Sequence, residues 1–168
     1  GAPFVGTEVY GLSTAELGVY FSAPAVGYFA GNFISGRYSM RLGVNRMVLW
    51  GCVINGGGVL LSLLIAMAGA DSVFTFFGLM CFVGLGNGMA IPNATAGAIS
   101  VRPHLAGTAS GLSGAIMIGA GAALSAFAGM LLVPGSTAVP LLVIMFATAA
   151  SGLIAILLVV WRERQIRA

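Results

Sequence analysis

The sequence predicts an all-α integral membrane protein with five transmembrane helices, and three observations support this fold class. First, 59% of the 168 residues are hydrophobic and only 7% are charged, whereas a soluble domain carries about 25% charged residues. Second, the few charges divide the chain into uncharged blocks long enough to cross about 30 Å of hydrocarbon. Third, open β-strands cannot cross lipid with unpaired backbone groups, so the spans are expected to be helical.

The composition also excludes several classes of protein. A mean hydropathy of +1.05 leaves too little polar surface for a water-soluble enzyme. The net charge of +3 does not indicate a nucleic-acid partner, because such binding needs basic residues clustered on one accessible face. We therefore expect no enzymatic activity, no catalytic residue, no metal, no cofactor and no nucleic-acid partner. Cys52 and Cys81 are interpreted as small buried hydrophobic residues.

The positions of the spans follow from the charges and from one turn signal. The uncharged blocks place them at about residues 17–36, 47–69, 73–98, 106–132 and 138–161. The last uncharged block is long enough for two spans, and the turn signal Pro134-Gly135-Ser136-Thr137, followed by Pro140, divides it.

The connections between these spans differ sharply in charge. Alternate connections, together with the C-terminal tail, hold all seven arginines, while the connection after the second span holds only Asp71. The positive-inside rule therefore predicts a multi-pass protein of the inner (plasma) membrane with its C-terminus in the cytoplasm and its N-terminus outside.

The chain begins on Gly1 rather than on Met, and its opening run, GAPFV, looks like the last turn of a helix. No positively charged region with an apolar core and cleavage site precedes it, so a signal peptide is not indicated. We therefore expect residues 1–7 to end a truncated preceding helix and the chain to be the C-terminal part of a longer protein.

The first predicted span carries a polar stripe and a pair of glycines. Each step of four residues turns a helix by about 40°, so one side bears Tyr20, Pro24, Tyr28 and Asn32. Gly27 and Gly31 form a GxxxG pair on another side, where two backbones can approach closely. The polar stripe either lines a water-filled cavity or bonds to a neighbouring helix, and the sequence favours neither interpretation.

The third predicted span contains the run GLGNGMAIPNATAGA, residues 84–98. Pro92 predicts a kink in mid-membrane, as Pro24 does in the first span. Asn87 and Asn93 can satisfy the backbone groups that the kink frees or bond to a substrate. They lie about 240° apart on a regular helix, so at most one faces a substrate unless the kink realigns them.

The fourth predicted span bears a stripe of small residues that includes Gly107, Gly111, Gly114 and Gly121, and this stripe predicts a packing face. The run GLSG within it matches the GxSG of intramembrane serine proteases. That chemistry needs a histidine in a later span, whereas His104 lies earlier and at the membrane edge. None of the five spans contains an acidic or basic residue, so a group that carries protons is expected elsewhere in a longer protein.

The connection Gly36-Arg37-Tyr38-Ser39-Met40-Arg41-Leu42-Gly43-Val44-Asn45-Arg46 resembles the major facilitator signature G-x-x-x-D-R-x-G-R-R, which is a cytoplasmic-loop motif. Gly36, Arg41, Gly43 and Arg46 match it, while Met40 replaces the acidic residue. With this motif and the sequence segments GAPFV, EVYGLS, GNGMAIPNA and AGTASGLSGA, the chain resembles the C-terminal half of the bicyclomycin-resistance/CflA drug:proton antiporters.

The resemblance implies a twelve-helix carrier made of two six-helix halves, with substrate bound between the halves. The chain would supply helices eight to twelve and a stub of the seventh. Its first, third and fourth spans would face the cavity, and its second and fifth would face lipid. Its partners would be the lipid bilayer, the missing N-terminal half and a small amphipathic substrate, with a proton gradient rather than a cofactor as the energy source.

The function that we expect is proton-coupled multidrug efflux by alternating access. The substrate-cavity candidates are the aromatic and amide side chains Tyr20, Tyr28, Asn32, Asn87 and Asn93. Arg37, Arg41 and Arg46 would set the orientation and close the cytoplasmic side. The alternatives are a major facilitator carrier of a metabolite, such as a sugar or an amino acid, and a structural subunit that anchors a membrane complex.

Overall fold

The computed structural model describes residues 1–101, 103–133 and 135–167, and within these ranges all regular secondary structure is helical. The predicted all-α fold class is confirmed. The elements in chain order are α1 (Ala2–Phe4), a π-helical turn (Val5–Val9), α2 (Thr14–Tyr20), α3 (Ser22–Leu42), α4 (Val44–Met67), α5 (Val73–Ser100), a 3₁₀ turn (Pro103–Leu105), α6 (Ala106–Leu131) and α7 (Val139–Arg167).

Four of the described helices are long and apolar enough to cross a membrane. They comprise Val44–Met67, Val73–Ser100, Ala106–Leu131 and Val139–Ile166. The helix α3 has 21 residues, which is a sufficient length, but polar side chains such as Asn32 and Arg37 lower its hydropathy. A fifth span at this position therefore stays a prediction.

The helical segments around the first predicted span differ from the sequence-based expectation. Residues 17–36 cover the end of α2, an interruption at Phe21 and most of α3. Pro24 lies in the first turn of α3 and has no N–H group to donate to the Tyr20 carbonyl four residues earlier. The regular helix is accordingly interrupted just before this proline.

The segment that was expected to be a connecting loop between the first two spans is largely helical, so that expectation was wrong. The helix α3 continues through Arg37 and Arg41 to Leu42, and α4 begins at Val44. Neither glycine nor proline interrupts residues 37–42. Gly43 alone separates the two helices, with a φ of 86° that favours glycine over other residues.

The helix α5 occupies the centre of the bundle, between α3 and α4, which make few contacts with each other. The helix α7 packs against α4, whereas α6 makes few contacts with the described residues. A hydrogen bond of 2.7 Å from Asn45 Nδ2 to Glu163 Oε2 joins the start of α4 to the end of α7. We call this end of the bundle the arginine end.

The other end of the bundle carries the largest hydrophobic core, and we call it the Asp71 end. Phe76 and Phe77 are fully buried there and pack edge to face, with ring centroids 5.1 Å apart. The remaining buried members come from the N-terminal segment and from residues 63–142, namely Val5, Leu63, Met80, Ala128, Leu132, Ala138, Leu141 and Leu142. This core attaches the end of α6 and the start of α7 to the rest of the bundle.

Candidate substrate-cavity site

The predicted GxxxG pair of α3 lies in a backbone-to-backbone contact with α5. Gly27 and Gly31 are buried, and a Cβ atom on either would overlap carbonyl oxygens of α5. The reverse holds for Gly84 and Gly88, where a Cβ atom would overlap the Pro24 and Tyr28 carbonyls of α3. Only glycine permits this approach, so the two helices form one closely packed unit.

A second glycine contact joins the opposite side of α5 to α4. A Cβ atom on Gly86 would overlap the Gly51 carbonyl, and one on Gly51 would lie 2.6 Å from the Gly86 oxygen. On a helix, Gly86 points about 200° away from Gly84, which explains how alternate glycines serve two neighbours. The GLGNG run therefore lets α5 pack closely on both sides.

The structure directs Asn87 towards α4. Asn55 Nδ2 donates a hydrogen bond of 2.9 Å to Asn87 Oδ1, and both side chains are half-buried. They line a cavity of about 360 Å³ between α4, α5 and α7, together with Cys52 and Thr148. Asn55 was not among the predicted site residues; its position in mid-span is visible in the sequence, but its partner is not.

Asn93 lies on the other side of α5 and is buried, with 4% of its surface exposed. Its Nδ2 donates to Ser35 Oγ of α3 and to the Met89 carbonyl, each over 2.7 Å. Ser35 and Ser39 continue this polar contact along α3. The amide therefore joins α5 to α3 beside Pro92, which lies within the helix.

The polar stripe predicted for the first span is divided between two environments. The Tyr20 ring packs against Phe77 and Phe74 at the Asp71 end, with centroid distances of 5.4 and 5.8 Å. Tyr28 is 43% exposed on α3. Asn32 Nδ2 donates to the Tyr28 carbonyl over 2.8 Å, within the same helix. Tyr28 and Asn32 thus lie together, whereas Tyr20 belongs to an aromatic cluster.

The small-residue stripe of α6 has no neighbour within the described part of the chain. Apart from adjacent residues of α6 itself, no heavy atom of the described residues lies within 4 Å of a Cβ atom built on Gly107, Gly111, Gly114 or Gly121. Ala128 is the one buried residue that α6 contributes among the residues described. The structure therefore gives the stripe no packing partner.

The residues of the predicted cytoplasmic-loop motif lie at the arginine end. Gly36, Arg37 and Arg41 belong to the last turns of α3 and are exposed, and Arg46 is exposed in the first turn of α4. Met40, at the position of the acidic residue in the motif, is also exposed. The hydrogen bond between Asn45 and Glu163 at this end could not be inferred from the sequence, because 118 positions separate the two residues along the chain.

At the opposite end, the Tyr10 hydroxyl donates a hydrogen bond of 3.0 Å to Asp71 Oδ2. This bond attaches the N-terminal segment to the connection between α4 and α5. Burial, the hydrogen bond and the charge of Asp71 together raise the pKa of Tyr10 well above its usual range. Tyr10 is therefore neutral at physiological pH and can act as a donor there.

Comparison with known proteins identifies the family. The sequence pattern of the Major Facilitator Superfamily matches residues 2–167, almost the whole chain. The chain belongs to the Major Facilitator Superfamily. Membership, together with the apolar helices, indicates a multi-pass membrane protein in contact with the lipid bilayer.

One relative within this superfamily resembles the chain over most of the chain's length. The chain is 28% identical over 158 residues to the uncharacterized MFS-type transporter YdgK of Bacillus subtilis (strain 168). This match covers 92% of the chain and 38% of the relative, so the chain spans well under half of that protein's length. No solved structure matches the chain.

Proposed function

We propose that this chain forms one half of a secondary active transporter that exports small amphipathic compounds in exchange for protons. Membership of the Major Facilitator Superfamily supports transport. The resemblance of the motif around Arg41 and of the GNGMAIPNA run to bicyclomycin-resistance/CflA antiporters supports the finer assignment.

One observation favours an amphipathic substrate: the polar amide side chains within the helices bond to neighbouring helices. Asn87 bonds to Asn55, and Asn93 bonds to Ser35, so these amides join helices to one another. The exposed side chains of α3 include three neighbouring aromatic rings: Phe29 and Phe33 are 75% and 68% exposed, and Tyr28 lies beside them. A sugar site needs several convergent polar groups, whereas an apolar and aromatic surface suits an amphipathic compound.

The proposed mechanism is alternating access, in which two halves rock about a site near the bilayer midplane. The glycine contacts on both sides of α5 join α3, α4 and α5 closely enough for them to move as one body. Tyr28 and Asn32 would contribute to the substrate surface, and Arg37, Arg41 and Arg46 would close the cytoplasmic side. Residues 47–70, 73–100, 106–131 and 139–161 contain no acidic or basic side chain, so the proton-carrying group would be supplied from outside these segments.

Dye efflux tests this proposal. The full-length protein that contains this chain would be produced in a drug-sensitive bacterial host, and efflux of a fluorescent cationic dye followed with and without a protonophore. We expect efflux that stops when the proton gradient collapses. Absence of efflux across a panel of dyes, together with uptake or export of labelled sugars or amino acids, would contradict drug export and favour a metabolite carrier.

A pair of tyrosine variants sharpens the test, because Tyr28 and Tyr38 lie on the same helix and are both 43% exposed. Tyr28→Ala should lower dye efflux at least about fivefold, since loss of one aromatic contact costs about 1 kcal/mol or more. Tyr38→Ala, at the arginine end, should leave efflux within about twofold of the unaltered protein. Equal losses in the two variants would argue against a substrate surface at Tyr28. The amount of protein in the membrane, measured by immunoblot, is the control for folding.

A further inference from the structure

We propose that the arginine end binds the phosphate of an anionic phospholipid, one of whose acyl chains lies in a groove between α4, α5 and α7. This site is separate from the proposed substrate surface on α3. It would serve a major facilitator protein whatever substrate it carries.

The groove is a large apolar cleft with a volume of about 1560 Å³. Its walls are Val44 and Val48 of α4, Ala94 and Gly97 of α5, and Ala155 and Val159 of α7. The α5 wall is formed by small residues, which leaves space that larger side chains would fill. An extended hydrocarbon chain matches the apolar character of such a surface.

The mouth of the groove carries a net positive charge. Among the residues that the structure describes, Arg46, Arg162 and Arg164 line it, together with one carboxylate, that of Glu163, which accepts the hydrogen bond from Asn45. Three guanidinium groups beside one carboxylate favour an anion, and guanidinium is suited to bidentate bonds with phosphate. Basic clusters next to membrane helices are known to attract anionic headgroups.

Two tryptophans indicate the depth of this mouth in the bilayer. The sequence contains two tryptophans; Trp50 follows Arg46 by one helical turn, and Trp161 directly precedes Arg162. Both are more than half exposed, at 56% and 57%. Because exposed tryptophan is enriched at the membrane–water interface, the arginines at the mouth lie at headgroup level.

The length of the groove agrees with this depth. From the arginines inwards, its lining reaches from Arg46 to Cys52 along α4 and from Arg162 back to Gly152 along α7. At 1.5 Å per residue these distances are about 9 and 15 Å, and half of a hydrocarbon core is about 15 Å. The groove therefore runs from the headgroups towards the bilayer midplane, along the path of an acyl chain in one leaflet.

A phospholipid fits this site better than a further protein helix does. A helix from elsewhere in the carrier could cover the apolar walls, but it would have to bring acidic side chains to the three arginines. One anionic phospholipid supplies an acyl chain for the walls and a phosphate for the mouth. A phospholipid is therefore the occupant of the groove, and the second test below distinguishes it from a protein helix.

The first test compares two pairs of arginine substitutions in the full-length protein. The protein would be purified from membranes containing phosphatidylcholine and phosphatidylglycerol in equal amounts, and bound phosphatidylglycerol measured by native mass spectrometry. Removal of two interfacial charges in the double variant R46Q/R162Q should weaken phosphatidylglycerol binding about thirty-fold. The control R37Q/R41Q removes the same charge from the same end, outside the groove, and should change binding less than about threefold. Equal losses in both would show non-specific attraction and overturn the proposal.

The second test keeps every arginine and fills the groove. Ala94 lines the groove, whereas the adjacent exposed Thr95 does not. Ala94→Trp should lower the amount of bound phosphatidylglycerol at least about tenfold, while Thr95→Trp should leave that amount unchanged. Retention of the lipid in Ala94→Trp would overturn the proposal and indicate that protein, rather than lipid, covers these walls. Because the readout is bound lipid, failure here is distinguishable from failure of dye efflux.

Discussion

The helices α5 and α6 are both rich in glycine, yet the structure uses their glycines in opposite ways. Gly84, Gly86 and Gly88 of α5 are buried against the backbones of two neighbours. Gly107 and Gly114 of α6 have no atom of another described helix near the position of a Cβ. A stripe of small residues therefore identifies a surface capable of close approach, but it does not reveal whether, or by what, that surface is covered.

The largest effect is expected from a substitution in the buried stripe. Gly84→Ala places a Cβ atom on the Pro24 carbonyl, and backbone cannot move aside as a flexible side chain can. We expect a loss of at least about 3 kcal/mol in the free energy of unfolding, the upper range for overpacking. Fluorescence-detected size-exclusion chromatography of the full-length protein, heated in steps, measures the loss.

The matched substitution in α6 tests the other side of the comparison. Gly114→Ala meets no neighbour in the described chain and replaces a glycine within a helix by the best helix former. We expect a change within about 0.5 kcal/mol in either direction in the same assay. A loss as large as that of Gly84→Ala would break the comparison, because it would show that the α6 stripe is covered in the full-length protein.

An intermediate effect is expected at the two asparagines of α5. Asn93→Ala leaves the buried Ser35 hydroxyl without its donor, and interhelical hydrogen bonds in membrane proteins contribute about 0.6 to 1.7 kcal/mol. Asn87→Ala removes a half-buried bond to Asn55 and should cost less. Stepwise denaturation of each variant in mild detergent measures both losses. If Asn87→Ala proved the more damaging, the α4 side of α5 would be the more constrained one.

A smaller loss than at the asparagines is expected at the Asp71 end, where a side-chain hydrogen bond rather than glycine packing attaches the N-terminal segment. Tyr10→Phe removes the hydrogen bond to Asp71 and should cost about 0.5 to 1 kcal/mol, since the site is partly exposed. The pKa of Tyr10 is higher in the folded protein than in the unfolded chain, where it is about 10. Protonated Tyr10 therefore contributes fully to the free energy of unfolding below pH 10, and this contribution is lost as the pH rises further. Unfolding measured from neutral pH to above pH 10 should show a decline that is weaker in Tyr10→Phe. An identical decline in both proteins would assign the pH dependence to other groups.

The sequence was sufficient to predict the all-α membrane fold, because apolar block length and the scarcity of charge are physical requirements of the bilayer. It was less informative about boundaries: the expected loop around Arg41 is helical, since no residue before Gly43 stops the helix. The candidate residues could be selected by type, but their orientation depends on partners distant in sequence. Asn87 faces Asn55 and Asn93 faces Ser35, and periodicity within one helix cannot reveal which neighbour lies on which side.

The position of α5 between two helices that barely touch has a consequence for biogenesis. The helices α3 and α4 leave the ribosome before α5, joined by Gly43 alone, and they have few contacts with each other to hold them together. The glycine surfaces of α5, which contact α3 on one side and α4 on the other, are available only after α5 has been made. Assembly in the membrane should therefore be delayed until the third of these helices is inserted, and the earlier pair would be the species most exposed to membrane quality control.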